Sequence, residues 1–481
     1  MRVLLVNPKY PEDDIVKRRF IPPIELGYIA SLAIQDGHEV KFIDANADNL
    51  SAADLGPAIE SFRPQSLITV TSSLDRWICP HLKIEESFRI LETAKSLNGE
   101  IRTALVGPHG TTSPVEMLER SAALDAVVRG EPEWTSREWI NAQAGNMDLE
   151  KVAGLTFRRN GEIVTTPERA YMENLDALPL PAYHLFPMPK YHYRDHCLQR
   201  PFAVALASRG CPYKCTFCLT IMQGKQWRLR NTTKIADELE WLSREHGIRS
   251  VMFFDFEFGL NRDRTLELCR EIASRKIPLT WGCEMRVSDA KEDVLRAMKD
   301  AGCNFIGFGV ESGNQEILNK TKKGITLEQA RKAFALTQQL DINCEKPYWI
   351  LGLPGETMET IERTIEFSLE LHANSKFPGN SAFAVPYVGT DVHRVAMEHN
   401  KGKKGTWAEV SDMIGKVENQ LPPGDLKRGP FYRKVKHLYY KKKYGNHYYL
   451  NPSFYSDHMG SLVEFLIHPG RIVKYIREVR Q

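Results

Sequence analysis

The stretch SRGCPYKCTFCLT contains three cysteines within eight positions: Cys211, Cys215 and Cys218. Three packing cysteines on one glycine-bearing loop would be an unusual way to build a core, whereas thiolates are ligands of metal sites. A structural zinc site takes four protein ligands. No fourth Cys or His follows at close spacing, although His246 or Cys269 could reach the loop from elsewhere in the fold. Three thiolates suffice for an iron–sulfur cluster, so the spacing predicts a 4Fe-4S cluster with one iron open to an exogenous ligand.

The other six of the nine cysteines are scattered singly along the chain, which does not suggest a disulfide framework. We therefore expect reduced thiols. Four of the six lie in periodic apolar segments and are predicted to be packing residues that the cluster does not need: Cys269, Cys283, Cys303 and Cys344.

The composition is that of an ordinary globular protein, with 42% hydrophobic and 26% charged residues over 481 positions. This length allows two or three domains with cores of their own. The 64 basic residues are nearly balanced by 61 acidic ones, so the charge does not favour a nucleic-acid partner. The sequence contains no run of about 18 apolar residues and no apolar core of a signal peptide. We therefore expect a cytoplasmic protein without a transmembrane segment.

The first 135 residues alternate short β-rich runs with amphipathic stretches, which is typical of a doubly wound parallel sheet. Ligands of such sheets bind at the carboxyl ends of the strands. Four loops rich in Gly or Pro are expected at that edge, where glycine lets the backbone come close to a ligand, although tight turns alone also explain them: 7–11, 71–77, 107–111 and 129–133.

Regular alternation resumes near residue 201 and continues through six βα-type units, which predicts a partial or full βα barrel with its chemistry at the carboxyl ends of the strands. The cysteine loop follows the first of these strands. The segment before the barrel is rich in proline and aromatic residues and is predicted to be an ordered linker. The α/β fold is thus expected to have four parts: 1–135, a doubly wound domain; 136–200, the linker; 201–395, the barrel; and 396–481, a small, mostly helical C-terminal region.

The cysteine motif with an aromatic residue before its last cysteine resembles that of the radical S-adenosylmethionine enzymes. Successive strand-end motifs, FFDFEF, CEMRVS, GFGVESG and LGLPGET, are similar to those of the same family. The resemblance implies that the open iron binds the amino and carboxylate groups of S-adenosylmethionine. It also implies a set of further contacts to this cofactor: Phe217 at the adenine, and Glu284, Arg286, Glu311 and Ser312 at the carboxylate, amino and ribose groups. Relatives often have a second aspartate where this chain has Phe256 after Asp255.

The order of the parts is similar to that of radical enzymes with an N-terminal cobalamin-binding domain. The chain lacks the D-x-H-x-x-G string that supplies a histidine to cobalt in methionine-synthase-type domains, since neither His38 nor His109 lies in that pattern. The resemblance therefore implies cobalamin without a histidine ligand, or a domain that has lost cobalamin. The expected corrinoid contacts lie in the four edge loops: Pro8, Ser72, Gly107, Gly110, Gly130 and Glu131.

The resemblance implies an enzyme that methylates an unactivated carbon or phosphorus centre of a small molecule or lipid. One S-adenosylmethionine would then donate a methyl group to the corrinoid, and a second would be cleaved to a 5′-deoxyadenosyl radical, with electrons from a flavodoxin or ferredoxin. Cyclisation, oxidation or carbon–carbon bond formation without methyl transfer is the alternative. A more remote alternative is a non-catalytic metal-binding protein that uses its basic tail to bind a partner. Only methyl transfer releases S-adenosylhomocysteine together with 5′-deoxyadenosine.

The C-terminal tail combines lysine, arginine and tyrosine, as in YYKKKYGNHYY at 439–449 and in the segment 465–480. Such a pattern is typical of a solvated basic helix face with tyrosines packed beneath it. An amphipathic surface that contacts anionic lipid or an acidic partner is the alternative, so peripheral membrane contact remains open.

Overall fold

A computed structural model describes residues 1–10, 20–193, 197–344, 347–372, 381–400, 402–411, 430–448 and 451. The first sheet has seven strands: β1 (Arg2–Asn7), β2 (Glu39–Asp44), β3 (Ser66–Val70), β4 (Arg102–Val106), β5 (Ala126–Val128), β6 (Leu155–Arg159) and β7 (Glu162–Thr165). Its strand order is β2-β1-β3-β4-β5-β6-β7, and β1 to β5 run parallel to one another.

Helices cover both faces of this sheet: α1 (Ile24–Gln35), α2 (Gly56–Phe62), α3 (Glu85–Leu97), α4 (Pro108–Thr112), α5 (Pro114–Arg120) and α6 (Pro132–Gln143). Because successive side chains of a strand point to opposite faces, Val3 and Leu5 of β1 pack with α1 and α6, whereas Leu4 and Val6 pack with α2, α3 and α5. Because both faces of the sheet are covered by helices, most residues of its central strands are apolar. The doubly wound sheet predicted from the sequence is confirmed.

The first sheet extends past residue 135. Strands β6 and β7 lie in the segment 136–200 that we expected to be a linker, and they add an antiparallel hairpin to the free edge of β5. The pairing satisfies backbone groups that an exposed edge strand would leave open. The first sheet therefore includes two short strands from the segment 136–200, which precede its proline-rich part.

The second sheet is a curled parallel half-barrel in which β8, β11, β12, β13, β15 and β16 follow one another. Its region also contains a short antiparallel pair, β9 with β10, and one strand beside β13, namely β14. The bounds are β8 (Phe202–Ala205), β9 (Ser208–Arg209), β10 (Arg228–Leu229), β11 (Ser250–Phe253), β12 (Thr280–Met285), β13 (Cys303–Glu311), β14 (Asn343–Cys344), β15 (Tyr348–Leu351) and β16 (Ser381–Phe383). Of the two predicted forms, the partial barrel is the one observed.

The helices of the second half are α7 (Thr232–His246), α8 (Arg262–Ser274), α9 (Glu292–Asp300), α10 (Gln315–Lys320), α11 (Leu327–Gln339), α12 (Met358–Leu371), α13 (Asp391–His399) and α14 (Pro430–Tyr444). Local signals set several of their ends. The side chain of Asn231 accepts hydrogen bonds from two backbone N–H groups at the start of α7, and Gly247 ends the helix with φ +62°. A capping box of Thr326 and Gln329 begins α11.

Aromatic residues of the segment 166–193 join the two halves. The Tyr183 hydroxyl donates to the carbonyl of Val204 in β8 at 2.7 Å. The Tyr191 hydroxyl donates to the carboxylate of Asp44 at the end of β2 at 2.8 Å. Each ring is buried, and a buried phenol needs a hydrogen-bond partner. These contacts fix the first sheet against the half-barrel.

Near the C-terminus, α14 packs on α12, and its Lys442 forms ion pairs with Glu362 and Glu366. Tyr439 and Tyr440 are buried, as expected for tyrosines beneath a basic helix face. The segment 465–480, for which a lipid contact was considered, lies outside the described residues. None of the helices in the described parts of the chain combines the length and apolar character that crossing a bilayer requires.

Candidate active site

The cysteine loop, residues 210–227, begins and ends at the antiparallel pair of β9 and β10. Gly210 starts the loop with φ +82°, and a Cβ atom there would lie 2.1 Å from the carbonyl oxygen of Gln226. Both the positive φ and the close approach require glycine. The amide of Gly210 donates to the side chain of Gln223 at 3.1 Å, which holds the two ends of the loop together.

Three backbone hydrogen bonds tie the cysteine loop to distant parts of the chain. Thr216 donates to the carbonyl of Thr321 at 3.0 Å and accepts from Val392 at 3.1 Å. Leu219 donates to the carbonyl of Ile78 at 3.3 Å. The loop is thus held by the half-barrel and by the loop that follows β3 of the first sheet.

The three cysteines are half-buried and lie within electrostatic reach of one another. Burial raises the pKa of Cys211 to about 11, and the neighbouring Cys215 and Glu257 add to the rise. Burial, together with the other two thiols, also raises the pKa of Cys218. Burial thus favours the protonated thiols of Cys211 and Cys218, and cluster binding has to displace these two protons.

The structure also shows where the residues considered for a zinc site lie. Among the described residues, no group of three or more His, Cys, Asp or Glu side chains is placed to hold one metal ion. Thiolates that bind different irons of a cluster need not meet at one point. The two candidate fourth ligands are engaged elsewhere: Cys269 is buried in α8 near Cys303, and the ring of His246 packs against Trp241.

Arg286, at the end of β12, points its guanidinium group at the cysteine loop. Its Nη1 lies 3.7 Å from Sγ of Cys215, and its Cζ lies 3.7 Å from the centre of the Tyr213 ring. Its Nε and Nη2 are buried and have no hydrogen-bond partner. A buried guanidinium with two unused donors fits a carboxylate, which is the group that S-adenosylmethionine presents.

Glu311 forms a buried ion pair with Lys323, with 2.8 Å between Oε1 and Nζ. The charge of Glu311 raises the pKa of Lys323 despite the opposing effect of burial, and Cys215 adds to the rise. Sequence reasoning missed Lys323 because one lysine of NKTKKGIT cannot be told from its neighbours without its burial. A carboxylate at this place can bind the methionine ammonium group.

The other expected S-adenosylmethionine contacts, Ser312, Glu284 and Phe217, differ in how deeply they are buried. Ser312 is fully buried, where its hydroxyl contacts that of Thr364 at 3.3 Å and accepts from the amide of Asn314 at 3.2 Å. Glu284 lies half-buried in β12, beside the strand that carries Glu311. Phe217 is half-buried within the cysteine loop. Arg286, Glu311 and Phe217 thus lie around the loop, while Ser312 already has protein partners.

Two buried acids near the loop carry raised pKa values. Glu257 accepts a hydrogen bond from the amide of Arg286 at 3.1 Å, and burial, followed by the charge of Asp289, raises its pKa to about 8. Asp255 accepts from the Ser208 hydroxyl at 2.6 Å, and burial raises its pKa to about 7. Glu257 was missed, although an acid two positions after Asp255 in the apolar run FFDFEF is a detectable signal.

The expected corrinoid contacts lie along the carboxyl edge of the first sheet, and most are already engaged. Ser72 accepts from the amide of His81 at 3.0 Å, and a Cβ atom on Gly107 would meet Thr71. A Cβ atom on Gly110 would meet Val127 of the sheet below. Pro8 is buried after β1. Around Gly130 a Cβ atom would meet nothing within 4 Å, so this loop leaves room for a ligand.

Glu131, another expected corrinoid contact, lies at the same edge directly after Gly130 and is engaged by two arginines. Its carboxylate is buried and forms ion pairs with Arg209 and Arg228 at the base of the cysteine loop. Two other buried groups at this edge have an atom without a hydrogen-bond partner, Oε1 of Glu25 and Nε2 of His109. A corrinoid carries carboxamide groups that donate and accept hydrogen bonds, so these atoms and the space at Gly130 fit such a ligand.

The two histidines tested against the cobalt-ligand pattern have other contacts. His38 lies at the opposite end of the sheet, where its ring contacts the amino terminus of Met1 at 3.3 Å. His109 lies at the carboxyl edge, but its Nδ1 is 3.0 Å from the Thr71 hydroxyl and its ring packs on Trp407. Burial lowers the pKa of His109 to about 3, so the imidazole is neutral.

Residues 206–368 match the family model described as the Radical SAM superfamily, and residues 18–139 match the one described as the B12 binding domain. An uncharacterized methyltransferase of Pyrococcus horikoshii is 33% identical over 405 residues, which cover 83% of this chain and 84% of that protein. The anaerobic magnesium-protoporphyrin IX monomethyl ester cyclase of Rubrivivax gelatinosus is 29% identical over 399 residues, 82% of this chain and 69% of that protein.

The fold is also similar to a solved structure of the radical S-adenosylmethionine methyltransferase TsrM from Kitasatospora setae, with cobalamin and a 4Fe-4S cluster bound. The TM-score is 0.64 at 20% sequence identity, and the similarity covers 82% of this chain and 75% of that chain. At this identity the likeness concerns the fold.

Proposed function

Because the chain belongs to the family of cobalamin-dependent radical S-adenosylmethionine enzymes, we propose that it transfers a methyl group to an unactivated carbon or phosphorus centre. Its cofactors are a 4Fe-4S cluster, S-adenosylmethionine and cobalamin. When bound, they supply the one-electron cleavage of S-adenosylmethionine and a carrier for the methyl group. The substrate is a small molecule or a lipid, and the electron donor is a flavodoxin or ferredoxin.

The contact between the cysteine loop and the carboxyl edge of the first sheet carries this proposal. Leu219 bonds to Ile78, and the Thr111 hydroxyl contacts the sulfur of Met222 at 3.2 Å. The expected cluster site and the expected corrinoid site therefore share one boundary. A methyl carrier is useful only beside the place where the substrate radical forms, because transfer needs the reacting groups in contact.

The chain's own residues bind and orient the S-adenosylmethionine at the cluster. In this proposal Cys211, Cys215 and Cys218 hold the cluster. Arg286 binds the methionine carboxylate through its two unused donors, and Glu311 binds the ammonium group. Two further contacts belong to the same proposal, with Glu284 at the ribose and Phe217 at the adenine, while Ser312 supports the backbone beside Glu311.

The corrinoid domain comprises the whole first sheet in this proposal, including β6 and β7. Pro8, Ser72, Gly107 and Gly110 shape its carboxyl edge, and Gly130 leaves room for the ligand. The half-barrel and the segment around Trp407, whose Nε1 donates to the Thr112 hydroxyl at 2.7 Å, cover this edge and exclude water from it.

A radical reaction without methyl transfer is the second candidate, favoured by the 29% identity to a cyclase. The products separate the two. The loaded enzyme is incubated anaerobically with methyl-labelled S-adenosylmethionine and a reductant, with and without bound corrinoid. Methyl transfer predicts corrinoid-dependent S-adenosylhomocysteine as well as 5′-deoxyadenosine. Formation of 5′-deoxyadenosine alone, at every corrinoid occupancy, would overturn the proposal in favour of the second candidate.

A further inference from the structure

Two arginines at the base of the cysteine loop are buried against two glutamates of the first sheet's edge. Arg209 lies in β9 and Arg228 in β10, whereas Glu131 and Glu133 follow β5 at the start of α6. The side chains of Arg209 and Glu133 are 1% and 0% exposed. We name these four residues the buried ion network.

The network has directional contacts at both ends of the loop. Arg209 holds Glu133 with two nitrogens, at 2.6 Å and 3.2 Å, and reaches Oε1 of Glu131 at 3.2 Å. Arg228 donates to Oε2 of Glu131 at 2.9 Å and to the carbonyl of Gln223 at 2.6 Å. Glu131 therefore bridges the first and last residues of the loop's base.

Both oxygens of Glu131 are occupied by the protein. Oε1 accepts from Arg209, and Oε2 accepts from Arg228 and from the amide of Met172 at 2.7 Å. Its place at the start of α6 also suits a negative charge. These contacts orient the carboxylate towards the two arginines and the amide of Met172, although Glu131 directly follows Gly130, where a ligand has room.

Burying four charges adds little to the free energy of unfolding, because the cost of desolvation offsets the attraction between the charges. Apolar residues of similar size often stabilise such a site equally well. Planar arginine forks, however, fix direction and distance in a way that apolar contacts do not. The network stands beside the two other contacts that join the same surfaces, Leu219 with Ile78 and Thr111 with Met222.

We infer that the buried ion network sets the separation between the cluster and the corrinoid, with Glu131 and Arg228 as positioning residues that touch neither cofactor. The inference rests on the proposed function, since a fixed separation matters only to an enzyme that uses both cofactors at one boundary. It assigns to Glu131 a task different from the corrinoid contact expected from the sequence.

The test uses the full chain loaded with the cluster and cob(II)alamin, without substrate. Pulsed electron paramagnetic resonance measures the dipolar interaction between the reduced cluster and cob(II), which depends on their separation. We expect Glu131→Gln and Arg228→Lys to keep both cofactors, as iron content and corrinoid absorbance report, and to broaden or weaken this interaction. Arg228→Lys keeps the positive charge but loses the planar guanidinium group with its fixed donors. It therefore shows whether the directed hydrogen bonds, and not the charge alone, are needed.

Asp36→Asn is the matched control. Asp36 accepts from Arg137 at 2.5 Å and 2.8 Å, but this pair joins α1 to α6 within the first domain. The same carboxylate-to-amide change should leave the dipolar interaction at its wild-type value. Wild-type interactions in Glu131→Gln and Arg228→Lys would overturn the inference. A Glu131→Gln protein that keeps its cluster but no longer binds corrinoid would also overturn it and restore Glu131 as a corrinoid contact.

Hydrogen exchange on the cofactor-free chain separates failure of this inference from failure of the proposed function. We expect Glu131→Gln, and not Asp36→Asn, to speed amide exchange across residues 210–227, including the Leu219 amide bonded to Ile78. If wild type binds no corrinoid, the proposed function fails, and this measurement still decides whether the network holds the loop. Unchanged exchange in Glu131→Gln would contradict the network's role.

Discussion

Nη1 of Arg286 lies 3.7 Å from Sγ of Cys215, so a cation from the end of β12 faces a cysteine of the loop between β9 and β10. Two further nitrogens of the same guanidinium group are buried without a partner. The protein thus keeps unused donors beside the position where an open iron is expected. The first prediction follows from this pair.

Arg286→Lys should weaken binding of S-adenosylmethionine to the cluster-loaded protein. Lysine keeps the charge but cannot present two parallel donors to a carboxylate, and hydrogen bonds to charged groups contribute about 1.5–3 kcal/mol, so the Kd should rise at least about tenfold. Equilibrium dialysis measures it. The control is Arg296→Lys, because Arg296 is exposed on α9 and pairs with Glu292. Equal Kd values for the two variants would show that Arg286 does not bind S-adenosylmethionine.

Gly210→Ala should prevent the cysteine loop from closing. The added Cβ would lie 2.1 Å from a backbone oxygen in a conformation with φ +82°, so the loop has to shift. Gly247→Ala is the matched control, since Gly247 has φ +62° but nothing within 4 Å of its Cβ position, and it should cost only about 1 kcal/mol. Iron content after reconstitution and the Tm report the outcome. Normal iron content in Gly210→Ala would contradict the prediction.

Cys215→Ala should abolish both the cluster and the cleavage of S-adenosylmethionine, because two remaining thiolates leave a second iron without its ligand. Cys344→Ala should retain both, as expected for a cysteine that the cluster does not use. Iron and sulfide analysis together with 5′-deoxyadenosine formation measures the result. A Cys215→Ala protein that still forms 5′-deoxyadenosine would refute the assignment of this residue.

Glu25 should make the cofactor-free protein less stable as the pH rises. Burial raises its pKa to about 8 from an ordinary value of 4.5. A carboxyl with a raised folded-state pKa favours folding below the unfolded pKa, and this contribution is lost as pH rises from about 4.5 to about 8. The loss is about 1.4 kcal/mol per pH unit within that window. Glu25→Gln removes it, so urea unfolding should show the variant gaining on wild type between pH 5 and pH 8. Parallel changes in the two proteins would contradict the prediction.

Cob(II)alamin bound to the protein should show no nitrogen superhyperfine splitting from a histidine, because the chain lacks the D-x-H-x-x-G string and His109 contacts Thr71 and Trp407. Electron paramagnetic resonance gives the answer directly. His81 is the second histidine at this edge, stacked on Tyr10 with 4.1 Å between ring centres. Splitting that disappears in His81→Ala would contradict the prediction and identify the ligand.

The two-sheet architecture could be predicted because its signals are local. An apolar run indicates a strand from its own residues alone. In the same way, Asn231 marks the start of α7 and Gly247 marks its end, each through residues close in sequence. The hairpin of β6 and β7 was missed because what makes it part of the first sheet is the free edge of β5, a tertiary partner.

The sequence by itself predicted three cysteine ligands for the cluster and the order of the domains, since C-x3-C-x2-C places three thiols on one loop whatever surrounds it. Only the tertiary structure decided that Lys323 pairs with Glu311, that Glu257 lies behind Arg286, and that Glu131 faces the arginines of the cysteine loop. The physical reason is burial. A charged side chain is ordinarily solvated, and the sequence does not show which charges become buried. A charge acquires a specific partner when folding removes water from both groups, because the ion pair then offsets the cost of desolvation.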